Sequence, residues 1–288
     1  MGCFIEPKGF MTSYDKRDGK DPGASRLRQR PAEEARLVTQ APLDKYKDTD
    51  CSEIKTFLAR AHPSSNEDSK GRLFVINRGP HGSGYLRCPR CEYAVAAKRA
   101  AIFGKLVPTE HKDPRTGEKC PVNNVQNPVE LGHIFETDVR AFAFMKPLPS
   151  YSGEDADEKR TMFTRTLSES LRMACIRLLG TSSRDLAATF QYADTAYPIV
   201  VLYDTIAGGA GYVRRLCSNE ANFTAGRILD KMAELLNCPN QCASSCSKCL
   251  NDYSNQIHWD YLNRIEVIKW MDSITNRVSV SSVSRRML

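Results

Sequence analysis

Residues 237–250, NCPNQCASSCSKCL, set four cysteines within twelve positions: Cys238, Cys242, Cys246 and Cys249, a C-x3-C-x3-C-x2-C run. Thiols this close in sequence must meet in space, so the fold has to direct them to a metal, to disulfides or to plain burial. Zinc takes four thiolates in a tetrahedron, and a Cys-x2-Cys turn supplies two of them from one knuckle. Disulfides would need an oxidising compartment. The N-terminus MGCFIEPKGF has neither the basic start nor the long apolar stretch of a signal peptide, and Glu6 stands where a myristoylation signal needs Ser or Thr. No apolar run approaches the ~20 residues of a membrane span. The sequence thus predicts a cytoplasmic chain with reduced thiols and one zinc at this run. An iron–sulfur cluster also accepts four thiolates, and spacing alone does not separate it from zinc or from unligated cysteines.

With 288 residues, 41% of them apolar, the chain can bury a sizeable core, so its thiols are not needed to rescue a tiny fold. Residues 1–64 are charged and poor in apolar residues, which reads as a partly disordered arm and linker or as an arm that docks on a partner. From there RLFVIN (72–77) reads as a strand and LGHIFETDVRAFAF (131–144) as a strand or hairpin arm. A helix is expected over about 157–179, where Phe163, Leu167, Leu171, Ala174 and Leu178 share a face and Gly180 supplies a stop. DLAATFQY (185–192) and the apolar YPIVVLYD (197–204) read as strands, the second mid-sheet. A second helix, about 223–237, carries the stripe Ala225, Ile228, Leu229, Met232, Leu235 and Leu236 and delivers the chain to Cys238. A last helix follows residue 258, and the tail reads as loose. The expected fold is α+β, with mixed α/β character. It places an arm at 1–64, a β-rich zinc-knuckle module at 65–150, and an α/β domain at 151–288 with the cysteine run between helices.

A second set of candidate ligands is dispersed. Cys88 and Cys91 form a Cys-x2-Cys knuckle in YLRCPRCEYA, and His111 and Cys120 follow downstream. Three thiolates and an imidazole would make a second zinc site, with His133 as an alternative to His111. Were the histidine not a ligand, zinc on Cys88, Cys91 and Cys120 would keep an open position able to activate water. That gives the alternative reading, a zinc-dependent enzyme. The H-x-E and P-C-x-x-C signature of zinc deaminases is absent, since Arg87 precedes Cys88.

The glycines do not complete a nucleotide site. Gly208, Gly209 and Gly211 do not make G-x-G-x-x-G, Tyr85 stands where GPHGSGY would need the lysine of a phosphate loop, and no DEAD-box-like acidic stretch follows. The sequence predicts no Walker A motif and no helicase ATPase of its own. Asp204 and the glycines read as a structural turn packing a helix close to the sheet, or as a glycine surface touching a phosphate or a partner backbone. Of the net charge of +7, residues 70–120 hold 11 Lys/Arg against 4 Asp/Glu. Arg72, Arg78, Arg87, Arg90, Lys98, Arg99 and Lys105 are therefore candidate phosphate contacts, with Tyr85, Tyr93 and Phe103 as stacking groups, against a merely solvated basic face.

VVLYDTIAGGAGY, the helix after it, and CPNQCASSCSKCLNDYSNQIHWDYLNR together resemble the MrfA zinc-binding (MZB) domain, found at the C-terminal end of DEAD/DEAH-like DNA helicases. EPKGFMTSY, the Cys88–Cys91 knuckle with His111 and Cys120, and LGHIFETDV are similar to the segment that precedes it. CLNDYSNQIHWDYLNR is closest in style to DrmB of the bacterial DISARM phage-defence system. The resemblance implies zinc on Cys238, Cys242, Cys246 and Cys249, with Asp204 and the Gly208–Gly211 turn organising the same domain. It implies a non-catalytic accessory role, contact with DNA and with a helicase partner, and no small-molecule substrate. The relatives carry a helicase core and this chain reads without one. That makes it a C-terminal fragment, a split gene product or a stand-alone subunit whose motor is another protein.

Overall fold

The computed structural model describes residues 4–5, 33–38, 41–64, 69–77, 84–96, 111–122, 128–191, 197–218 and 220–275. The strands are β1 (Phe4–Ile5), β2 (Glu33–Leu37), β3 (Lys47–Asp48), β4 (Ile54–Arg60), β5 (Ser69–Lys70), β6 (Arg72–Asn77), β7 (Tyr85–Arg87), β8 (Ala94–Ala96), β9 (Glu130–Glu136), β10 (Val139–Phe144), β11 (Leu186–Gln191) and β12 (Ile199–Asp204). The helices are α1 (Ala156–Leu179), α2 (Tyr212–Arg215), α3 (Ala225–Leu236) and α4 (Arg264–Thr275). A 3-10 segment, Tyr253–Tyr261, precedes α4. The chain divides into two compact units, Met1–Arg36 with Leu73–Phe135, and Leu37–Arg72 with Glu136–Leu288. The expected α+β character holds, and the cysteine run lies between α3 and α4.

The first unit is built on a sheet of order β1-β9-β6-β2, with β1 parallel to β9. A separate hairpin pairs β7 with β8, Tyr85 opposite Ala96 and Arg87 opposite Ala94. That hairpin carries the Cys88–Cys91 knuckle at its tip.

The second unit is a sheet of order β11-β12-β10-β4-β3, with β5 added parallel to β4 and the other pairs antiparallel. The apolar Ile199–Leu202 run falls in β12, between β11 and β10, and is buried, as expected of a strand with neighbours on both edges. Helix α1 packs on β11 and β12, and α3 and α4 pack on α1. The stripe Phe163, Leu167, Leu171 and Ala174 meets Phe142, Phe144, Leu202 and the α3 stripe in one core. Between those apolar positions, the buried hydroxyls of Thr164, Ser168 and Ser170 donate to carbonyls one turn back, so polar residues sit in the interior without unmet donors. Gly180 ends α1 at φ 66°, a left-handed turn that glycine adopts without strain. The first turn of α3 is closed by Thr224, which accepts the N–H of Arg227, and by Asp50, which accepts those of Ala225 and Gly226.

Two readings change. Residues 41–64, placed in the charged arm, carry β3 and β4, and β4 pairs with β10 from Ile54 to Ala59. Its buried positions, Ile54, Thr56 and Ala59, break strict alternation, and charged residues flank it, so its periodicity is hidden. The stretch 131–144 is two strands in two different sheets. The chain crosses between them at Thr137 and Asp138, whose buried side chains bond to the carbonyls of Asp204 and Ile206 and to the N–H of Ala61. The last residues of the chain, expected to be loose, lie outside the described set.

Candidate metal centres

The C-terminal run folds into a knot at the end of α3. Cys238 follows the helix by two residues, and Gln241 bonds back to its carbonyl at φ 47°. Cys249 and Asn251 bond to the carbonyl of Cys246, closing a tight turn. The four sulfurs all lie within 4.8 Å of one another. Cys238 and Cys246 are 3.5 Å apart, Cys242 and Cys249 3.6 Å, and Cys246 and Cys249 3.9 Å. A zinc–sulfur bond of about 2.3 Å puts the corners of a tetrahedron about 3.8 Å apart, so the sulfurs already have the spacing of a zinc tetrathiolate. None of the four cysteines is joined in a disulfide.

The closeness of the four sulfurs spreads their acidities. Burial and the sulfurs of Cys238 and Cys246 raise Cys242, against the opposing donation of Arg264. Burial pushes Cys249 up to about 12. At Cys238 burial is outweighed by the Cys246 side chain and the N–H groups of Asn240 and Cys242, which bring it down to about 7. Four thiolates this close need a cation among them, and zinc supplies two positive charges.

The dispersed set converges as well. Cys88 ends the β7 side of the hairpin, its N–H donating to Tyr93, and Glu92 turns the knuckle at φ 64°. His111 and Cys120 are nine positions apart, yet a second small hairpin joins them. Cys120 donates to the carbonyl of His111, Lys112 bridges Lys119, and Gly117 turns at φ 75°. The sulfurs of Cys88 and Cys120 are 3.8 Å apart, and the Nε2 of His111 is 3.1 Å from the sulfur of Cys91. All four ligand atoms lie within 4.8 Å and all four residues are buried. The ring of Tyr93 stacks on His111 at 4.9 Å and 14°, fixing the imidazole plane. His133, the alternative, is exposed and stacks on Phe135 instead. Here too one thiol is drawn down. Burial opposes ionisation of Cys88, but the N–H groups of Cys91 and Arg90 and the side chains of Cys91 and His111 bring it to about 6, while burial lifts Cys91 to about 11. Both clusters are able to hold zinc.

The other sequence candidates divide. Asp204 is buried, and its carboxylate accepts the N–H of Ala210, Tyr212 and Val213 at 2.7, 3.1 and 3.1 Å. Gly208 and Gly209 donate to the carbonyls of Glu136 and Ile206. These N–H groups are engaged inside the protein and are not offered to a phosphate. A Cβ on Gly209, at φ 77°, would come within 2.3 Å of Asp138, and Gly211 lies under the Arg214 guanidinium. Among the proposed phosphate contacts, Arg72 lies 3.7 Å from Glu136, Arg87 pairs with Glu92 at 2.7 Å, and Arg90 is exposed. Arg78, Lys98, Arg99 and Lys105 lie outside the described residues, as does Phe103. Tyr93 is committed to His111, and the Tyr85 hydroxyl donates to Asn77.

Two features escaped the sequence. Arg264, buried at the start of α4, donates to the carbonyl and sulfur of Cys242 and to the carbonyl of Leu236. Glu169 and Arg172, in the middle of α1, form a buried ion pair at 3.0 Å. Asn255 donates to Glu169 and to the carbonyl of Leu250, and its own carbonyl oxygen accepts from Trp259. The network fastens the segment leaving the cysteine knot to α1. The only sequence signal was a charged pair on the otherwise buried stretch of a helix.

Residues 167–250 match the family described as MrfA Zn-binding domain, MZB. The match ends one residue after Cys249 and takes in most of α1, β11, β12 and α3, the elements that carry the cysteine knot. The chain is also similar to Druantia protein DruE of Escherichia coli (strain UMEA 4076-1), at 26% identity over 207 residues. That alignment covers 64% of this chain and 10% of DruE. Among solved structures, it is similar to the DUF1998 helicase MrfA bound to DNA, with 14% identity and a TM-score of 0.42, covering 85% of this chain and 25% of that one. A second structure, of MrfA bound to DNA and AMPPNP, gives a TM-score of 0.33. The chain thus spans a small part of the length of each relative. Among the described residues, no helix is long and apolar enough to cross a membrane.

Proposed function

We propose that the chain is a non-catalytic zinc module that helps a helicase-type partner engage DNA, in the manner of a DISARM-like phage-defence component, in the cytoplasm. One zinc would be held by Cys238, Cys242, Cys246 and Cys249, and a second by Cys88, Cys91, His111 and Cys120. The observation that carries this reading is that each set brings four ligand atoms within 4.8 Å. Four protein ligands fill a zinc tetrahedron and leave no position for a substrate water. Zinc then supplies a cross-link, and function lies on the surface that the cross-link fixes. His111, 3.1 Å from Cys91, weighs against the open three-cysteine site that an enzyme would need.

The MZB match and the name of that family support a helicase association, since MrfA itself was solved as a helicase bound to DNA. The basic knuckle region supports DNA contact, with Arg90 at its exposed tip. The test is retention of the purified full chain on DNA across a salt series. Binding through phosphates weakens steeply as salt rises, because each neutralised phosphate releases a counterion. An absence of retention at low salt, or retention indifferent to salt, would remove DNA contact from the account.

A further inference from the structure

We infer that Arg264 is the cation that retains the metal of the C-terminal site, balancing the thiolate charge and shielding Cys242; this rests on zinc occupying that site as proposed above. Zinc with four thiolates carries two net negative charges, and buried charge is costly unless it is paired or hydrogen-bonded. The donors reaching the four sulfurs are unequal. Cys249 accepts the N–H of Cys246 at 3.2 Å, and Cys238 accepts those of Asn240 and Cys242. Cys246 has a distant amide, Asn240 Nδ2 at 3.9 Å. Cys242 alone, among the described residues, is reached by a charged side chain, Nε of Arg264 at 3.3 Å.

The guanidinium is fixed where it stands. The same Nε donates to the Cys242 carbonyl at 2.8 Å, and a terminal nitrogen donates to the Leu236 carbonyl at 2.8 Å. The backbone N–H of Arg264 bonds to Ser244. Its residue is thus tied to the end of α3 and to the cysteine loop at once, and it is buried at 8% exposure. A positively charged N–H donor draws electron density from sulfur, so a bound thiolate is less open to protons and electrophiles. Lysine would keep the charge without the planar fork that reaches both carbonyls. The Cys88–Cys120 set shows no guanidinium on a sulfur among the described residues. With three thiolates and an imidazole it has only one negative charge to balance.

The experiment compares full-length wild type with R264K and R264Q, each purified with zinc. Zinc release is followed with a chromophoric chelator, and alkylation by N-ethylmaleimide is resolved by cysteine with mass spectrometry. Loss of such a supporting partner lowers metal retention about 10- to 100-fold. R264Q is expected to release one zinc about 10-fold faster or more, with Cys242 alkylated first of its four and Cys88, Cys91 and Cys120 unchanged; R264K should lie between. If release and Cys242 alkylation match wild type in both variants, the inference is overturned. Uniform acceleration at all four cysteines would also overturn it, since that is what a merely structural arginine predicts. Should R264Q fail to fold, R264K decides by the same two readouts. If the wild type itself holds no zinc at Cys238–Cys249, the occupancy reading fails first, and a zinc-loaded wild type with indifferent variants separates that failure from this one.

Discussion

The two ligand sets use the same chemistry and stand in different surroundings. Cys88, Cys91 and Cys120 form a small core of their own, with Tyr93 and Val122 packed against it. Cys238 and Cys249 sit at the rim of a much larger core that runs through α1, α3, α4 and the sheet. Structural zinc supplies an apparent binding free energy on the order of 10–16 kcal/mol. Among the described residues, only Tyr93 and Val122 pack against the cysteines of the first set, so a bound zinc would supply most of what joins the two short hairpins. In the second it would fix one end of a domain that already has an interior. A cysteine knot therefore does not carry the same structural weight wherever it occurs; the apolar residues around it decide.

The largest effect that could break this contrast is metal removal read by hydrogen exchange. On chelation, amides in residues 84–96 and 111–122 should lose protection throughout. In the second unit loss should be confined to about 237–251, with β12 and the middle of α1 still protected. Uniform loss in both units, or none in either, would erase the distinction. His111→Ala sharpens it at a single site. Zinc per chain should fall by one and the first hairpins should loosen, while His133→Ala leaves the zinc content unchanged.

A smaller effect is expected within the second unit. Glu169→Gln leaves the Arg172 charge buried without its partner. Breaking a buried pair in this way costs about 3–5 kcal/mol. Urea unfolding should show that loss with zinc content unchanged, because the pair lies in the domain interior and not on a sulfur.

The smallest effect concerns acid. Burial, with Arg165 and Arg172 nearby, lowers His258 to about 4 from its ordinary 6.5. The folded state therefore holds this imidazole neutral, while the unfolded chain takes up a proton below about pH 6.5. The stability associated with His258 is complete above that pH and is lost as pH falls from about 6.5 towards 4. The difference in stability between wild type and His258→Gln should change across that window and stay level above it.

The cysteine knot, the α1 and α3 stripes and the buried β12 were legible because each is local. Four thiols in twelve residues, a period of 3.6 and an apolar run need no knowledge of distant partners. The α3 stripe from Ala225 to Leu236 is buried at every position read from the sequence. The Cys88, Cys91, His111 and Cys120 set was readable as composition, but the choice between His111 and His133 depended on a hairpin that Gly117 and the Lys112–Lys119 bridge close. β4 was missed because a short strand among charges has no clean alternation. Arg264, and the Glu169, Arg172 and Asn255 network, were missed because much of their meaning comes from distant residues, up to 86 positions away, which no local pattern encodes.

Zinc-edge X-ray absorption on the purified full chain, together with elemental analysis, tests the central claim most directly. Two closed sites, with seven cysteines and one histidine between them, predict two zinc ions per chain and an average shell of 3.5 sulfurs and 0.5 nitrogen per zinc, with no oxygen. One zinc per chain, iron in place of zinc, or an oxygen ligand in the shell would contradict the account, the last by giving the first site the open position that chemistry on a substrate requires.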